Sequence, residues 1–116
     1  MYTEITLIKG DKNFNLEFAI RQKDETPDTL VGCTSGTLKI QAYGSSTLSD
    51  TIGTTVISPG SLDTIPGTIS FTILSTHNFI NNVGEYKAEI ELYYEATGQV
   101  LTCPDIYIEV EADLPD

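Results

Sequence analysis

Carboxylates are the reactive side chains this sequence holds in excess, with 17 Asp and Glu against six Lys and Arg in 116 residues and a net charge of −11. Glu89, Glu91, Glu109 and Glu111 stand near the C-terminus among alternating apolar residues, with Lys87 and Tyr107 between them. Period two sends them all to the outward face of two neighbouring strands. Such a face can serve as an interface for a basic partner, with charge setting approach and register. The same charges also keep a β-surface soluble and discourage strand-to-strand aggregation. Glu89, Glu91, Tyr107, Glu109 and Glu111 are therefore the candidate interface, expected to face one another across the strands at some cost in stability.

The other candidates for chemistry are weaker. His77 is the single histidine and sits in a polar stretch without a recognisable nucleophile or metal partner, so no catalytic role is assigned. The Ser and Thr of residues 44–58 have no activating base nearby in sequence. Asp24, Glu25 and Asp28 crowd one turn but lack the ligand spacing of a calcium loop. Tyr43, Tyr93, Tyr94 and Tyr107 could stack on a sugar if they shared an exposed face, though aromatics in a sandwich more often pack. Cys33 and Cys103 are the only cysteines. With one histidine beside them they predict no zinc site. Two reduced thiols are expected, and a bridge between them stays open. The reading is of a non-enzyme without metal or cofactor.

Charge is unevenly spread. Residues 1–39 hold five of the six basic side chains and six acids, whereas residues 85–116 hold nine acids and Lys87. No basic stripe exists for a phosphate backbone, and an acidic chain is repelled by anionic lipid, so nucleic acid and membrane are poor partners. The N-terminal Met-Tyr-Thr-Glu-Ile-Thr lacks the basic and apolar segments of a secretory signal. The expectation is of a chain made in a cytoplasm, or one already relieved of a signal.

These residues need strands to hold them. From Tyr86 to Tyr94 every second residue is apolar or aromatic (Tyr86, Ala88, Ile90, Leu92, Tyr94), while Glu85, Lys87, Glu89 and Glu91 alternate with them. Asn82-Val-Gly84 ahead of it is turn chemistry, and a tyrosine at such a corner can fold its hydroxyl back onto the loop. Further alternating segments are residues 3–8, Asn13–Arg21 with Phe14, Leu16, Phe18 and Ile20 inward, Gly36–Tyr43 and Gly67–Leu74. Ala96–Gln99 predicts a tight hairpin leading into Val100–Glu111, where Pro104 marks an edge position or a bulge. Residues 44–66, rich in Ser, Thr, Gly and Pro, predict one or two short strands near Thr54–Ser58. Residues 75–82 suggest one helical turn crossing between sheets, and Ala112–Asp116 an acidic tail. The sum is a single all-β domain over residues 1–116, an immunoglobulin-like antiparallel β-sandwich of about seven strands.

Three segments in this order, Ile8-Lys9-Gly10-Asp11, Leu30-Val31-Gly32-Cys33-Thr34 and Gly84-Glu85-Tyr86-Lys87-Ala88-Glu89-Ile90, resemble the N-terminal immunoglobulin-like domains of phage baseplate upper proteins and related tail and virion proteins. The resemblance spans nearly the whole chain, with Gly32, Gly84 and Tyr86 as structural positions. Cys33 departs from the small residue usual in that family, and the chain ends where such proteins usually continue into a helical or fibrous region. What the resemblance implies is a non-enzymatic attachment module of a virion, made in a bacterial cytoplasm and docking other virion proteins or copies of itself. The alternative is a carbohydrate- or cell-surface-binding module.

Overall fold

The computed structural model describes residues 3–22, 24–62 and 64–113. Lys23 of the predicted turn, Asp63 and the end of the acidic tail lie outside them. Eight strands are described: β1 (Thr3–Ile8), β2 (Phe14–Ala19), β3 (Ser35–Ala42), β4 (Asp50–Thr54), β5 (Ile57–Ser58), β6 (Thr68–Ile73), β7 (Gly84–Tyr94) and β8 (Gln99–Glu111). They form two sheets, one in the order β1-β8-β7-β3-β4 and one in the order β2-β6-β5. The result is a β-sandwich-like all-β fold. The strand total exceeds the expected seven because residues 50–58 divide into β4, which joins β3, and the two-residue β5, which joins β6.

Alternation builds the core. Inward side chains of the larger sheet (Leu38, Ile40, Ile52, Tyr86, Ile90, Leu92, Ile106, Ile108, Val110) meet Phe18, Ile69, Phe71 and Ile73 of the smaller one. Phe71 is fully buried, and its ring meets Phe18 edge-on with centroids 6.0 Å apart. Burial of such apolar area, at about 25 cal/mol per Å², is the main force joining the sheets.

One pairing departs from the antiparallel expectation. β1 runs parallel to β8, Thr3 opposite Ile106 through Ile8 opposite Glu111. The chain leaves β1 for the other sheet at Lys9–Asp11, and the last strand returns beside the first from the same end. The crossover from β6 to β7 is a 3₁₀ turn, Phe79–Asn81. Its start is held by Asp50, whose carboxylate accepts the backbone N–H groups of Asn78 and Phe79, both at 2.8 Å. That supplies the capping oxygen which Asn78 does not. Beyond it Tyr86, 5% exposed, donates its hydroxyl to the Asn82 carbonyl at 2.7 Å and packs edge-on against Phe79. Gly84 enters this corner at φ 156°, outside the range of ordinary residues, and Gly32 turns at φ 88°.

Candidate functional site

The outward face of the β3-β7-β8 sheet carries the charged residues, and two local devices fix which of them meet. The turn after β7 pairs Tyr94 with Gln99, so that Glu91 lies opposite Thr102 and Tyr93 opposite Val100. Near Pro104 two residues of β8 then oppose one of β7, and the register moves by one. This bulge has Asp105 at φ 67°, a left-handed conformation that Asp tolerates better than most residues. Beyond it Glu85 lies opposite Glu109 and Lys87 opposite Tyr107. The expected Glu89/Glu91/Glu109/Glu111 confrontation therefore does not form. All four are outward, but Glu89 and Glu91 sit one bulge away from Glu109, and Glu111 continues past β7 to pair with Ile8 of β1.

Lys39 of β3 changes the charge pattern further. It lies opposite Glu89 and forms an ion pair with Glu91, whose other oxygen accepts the Tyr93 hydroxyl at 2.9 Å. Lys39 first, and Tyr93 second, hold the Glu91 carboxyl below its ordinary range. A depressed carboxylate adds stability above its unfolded pKa, and this is lost as pH falls through the folded value. The like-charged pair that does form is Glu85–Glu109, with Tyr107 beside it. Loss of solvent, then its hydrogen bond to Glu85 and the charges of Glu85 and Glu109, push the Tyr107 phenol up to about 12.

Tyr107 also leans on Tyr43, ring centroids 5.9 Å apart and tilted by 54°. Tyr43 sits just past β3 and is 56% exposed. The two rings flank a cleft of about 380 Å³ whose lining includes Lys39, Glu89, Leu48 and, from the bulge, Asp105. A tilted aromatic pair, the apolar Leu48 and Pro104, and charges of both signs can hold a polar ligand or a partner's side chain. Tyr93 is not part of it. It lies six residues along β7 from the position opposite Tyr107, about 20 Å at the usual strand rise. Lys39 and Asp105 are the members of this site that the sequence does not point to, and the pairings Glu85–Glu109 and Tyr43–Tyr107 come only from the register and the fold. Counting register outward from the Ala96–Gln99 turn would have separated Glu91 from Glu109.

The remaining candidates have structural partners. His77 accepts the Leu74 N–H on Nδ1 at 3.0 Å, closing its own turn. Asp24 accepts from the N–H and hydroxyl of Thr26 at 3.1 and 2.6 Å. Among the described residues no three His, Cys, Asp or Glu side chains converge as a metal site. Cys33 and Cys103 are unbridged and half-buried, and burial pushes both thiols up, toward the unreactive protonated form. Burial, then the charge of Asp28, likewise pushes the Tyr94 phenol up to about 12.

Tyr94 and Tyr107 should therefore stay protonated in an alkaline ultraviolet titration after an ordinary phenol near 10 has ionised. A raised phenol adds stability that is complete below about pH 10 and disappears as pH climbs through about 12. Tyr107→Phe should remove one late-ionising group from the curve.

No family model matches the chain, and no curated protein is significantly similar to it. Among the described residues no helix is long and apolar enough to cross a membrane.

Proposed function

We propose that this protein is a non-enzymatic attachment module of a phage virion, an immunoglobulin-like domain that docks a basic neighbour on the outward face of its larger sheet. The observation that carries the docking reading is the Glu85–Glu109 pair. Two carboxylates directly opposed across a ladder cost the fold stability, and a cation from a partner turns that cost into binding energy. Glu89 and Asp105 at the adjoining cleft extend the negative field. The Lys39–Glu91–Tyr93 network gives the face a fixed, non-uniform pattern on which register can depend. Two features support the immunoglobulin-like assignment: the first strand lies parallel to the last, and the Tyr86 hydroxyl returns to Asn82 at the entrance to the penultimate strand. The virion setting rests on the resemblance of the segments around Gly10, Gly32 and Gly84. Immunogold labelling of particles purified from cells carrying the gene tests it. Gold at one fixed place on the particle supports the setting, and unlabelled intact and detergent-opened particles contradict it.

The Tyr43–Tyr107 pair favours a second reading, a carbohydrate- or cell-surface-binding module with its ligand in the cleft between them. Tyr43→Ala combined with Tyr107→Ala should abolish glycan-array binding under this reading. An array silent for the unaltered protein removes it.

A further inference from the structure

β8 is covered on only part of its length. β1 pairs with Ile106–Glu111, while Gln99–Asp105 has β7 on one side and, among the described residues, no strand on the other. An uncovered ladder edge is a template for another strand, and folded proteins usually guard such edges with charge or keep them very short. The other edges of this fold follow that rule. β1 carries Glu4, β2 carries Glu17, β4 begins with Asp50 and β5 has two residues. Gln99-Val100-Leu101-Thr102-Cys103 carries no charge at all, in a chain of net charge −11. Val100 is 51% exposed and Leu101 37%. Leu101 lies opposite Leu92 and Cys103 opposite Ile90, so both point to the core side. There, with Ile20, they line a groove of about 530 Å³ along the uncovered edge.

We propose that this edge pairs with the same edge of a second copy, β8 against β8, antiparallel about a twofold axis centred at Leu101. The choice of a second copy follows from charge. Two chains of −11 repel each other wherever carboxylates meet, the outward face above all. They approach with a smaller penalty through residues 99–103, which carry no charge, although Asp28 and Asp105 line the same groove together with Arg21. An antiparallel arrangement is the self-complementary one. It sets the two Leu101 side chains opposite each other and Val100 opposite Thr102, and it ends at Pro104, which has no N–H to give. This contact leaves the outward face free and does not depend on the virion reading.

Because general repulsion opposes the dimer, salt should strengthen it. That is the reverse of what salt does to a basic partner on the outward face. Light scattering after size-exclusion chromatography at about 50 and about 500 mM salt, bracketing weak and strong screening, should show the mass rising toward two chains. Leu101→Lys puts like charges face to face across the axis and should weaken the dimer by at least about tenfold. Val56→Lys, at a side chain 62% exposed on the β4–β5 connection, should leave it unchanged. Hydrogen exchange on the unaltered protein gives a second readout, with slowed amides in residues 99–103 at high salt only. A monomer at both salts overturns the proposal and leaves the edge to an extended segment of a different protein. So does a dimer indifferent to Leu101→Lys, or one formed without protection in residues 99–103.

Discussion

Phe71→Ala should lower the unfolding free energy by about 4 kcal/mol, the range for deleting a buried phenylalanine and leaving a partly collapsed cavity. Phe71 lies in the central strand of the β2-β6-β5 sheet, opposite Leu16 and fully buried. Its loss removes the edge-to-face partner of Phe18 and the apolar surface against which the larger sheet rests. For a domain whose whole stability is of the order of 5–15 kcal/mol, this is a large share. The melting temperature should fall by about 15 °C. Urea unfolding should show a lower midpoint at an unchanged slope, since the surface exposed on unfolding stays nearly the same. Phe14, half-buried at the end of β2, is the comparison. Phe14→Ala should cost roughly half as much, by the smaller area removed from water.

Gly60→Ala should cost about 3 kcal/mol, from backbone displacement and broken hydrogen bonds together. A Cβ on residue 60 would stand 1.8 Å from the Ile65 carbonyl oxygen and 2.6 Å from the Pro66 carbonyl carbon. These are backbone atoms of a closed loop and cannot step aside as a side-chain tip can. Two bonds cross here from the loop before β3. Gly60 N–H donates to Thr29 and Gly67 N–H to Asp28, both at 2.8 Å. Moving residues 60–66 strains both, and with them the seat of Leu30, which is fully buried at φ 58°. Gly53 is the control, since a Cβ there meets nothing within 4 Å. Gly53→Ala should stay within about 0.5 kcal/mol of the unaltered protein. Thermal melts of the pair settle the matter. Equal losses would mean that the close approach at Gly60 is not what the loop depends on.

Much of this fold was legible because most strands are half-buried and alternate. The inward sets Phe18–Ile20, Leu38–Ile40, Ile69–Phe71–Ile73 and Tyr86–Leu92 could be read from period two alone. The Pro104 signal marked both the bulge and the uncovered edge of β8, since proline suits both. The signal for one or two short strands near Thr54–Ser58 covers β5 and the end of β4 but not the start of β4, because Asp50-Thr-Ile-Gly-Thr buries one side chain, Ile52, and takes its conformation from pairing with β3. The parallel pairing of β1 with β8 joins the two ends of the chain, and no local pattern encodes it. The candidate face was legible as a set of outward residues and not as an arrangement. Lys39 meets Glu91 across 52 positions of sequence, and a one-residue bulge decides that Glu109 faces Glu85 rather than another residue. Tyr43 was visible as an aromatic, but only folding brings it to Tyr107.

The docking face is tested most directly by NMR, titrating the ¹⁵N-labelled protein with a short oligolysine peptide as a probe for basic partners at about 50 mM salt, where screening is weak. Amide shifts should concentrate at Glu85, Lys87, Glu89, Asp105, Tyr107 and Glu109. They should fade at about 500 mM salt and fall away in the Glu85→Gln, Glu109→Gln double variant. Shifts spread evenly over Glu4, Glu17, Asp24 and Glu95, or unchanged in that variant, would contradict the assignment of this face as the place where the protein meets its partner.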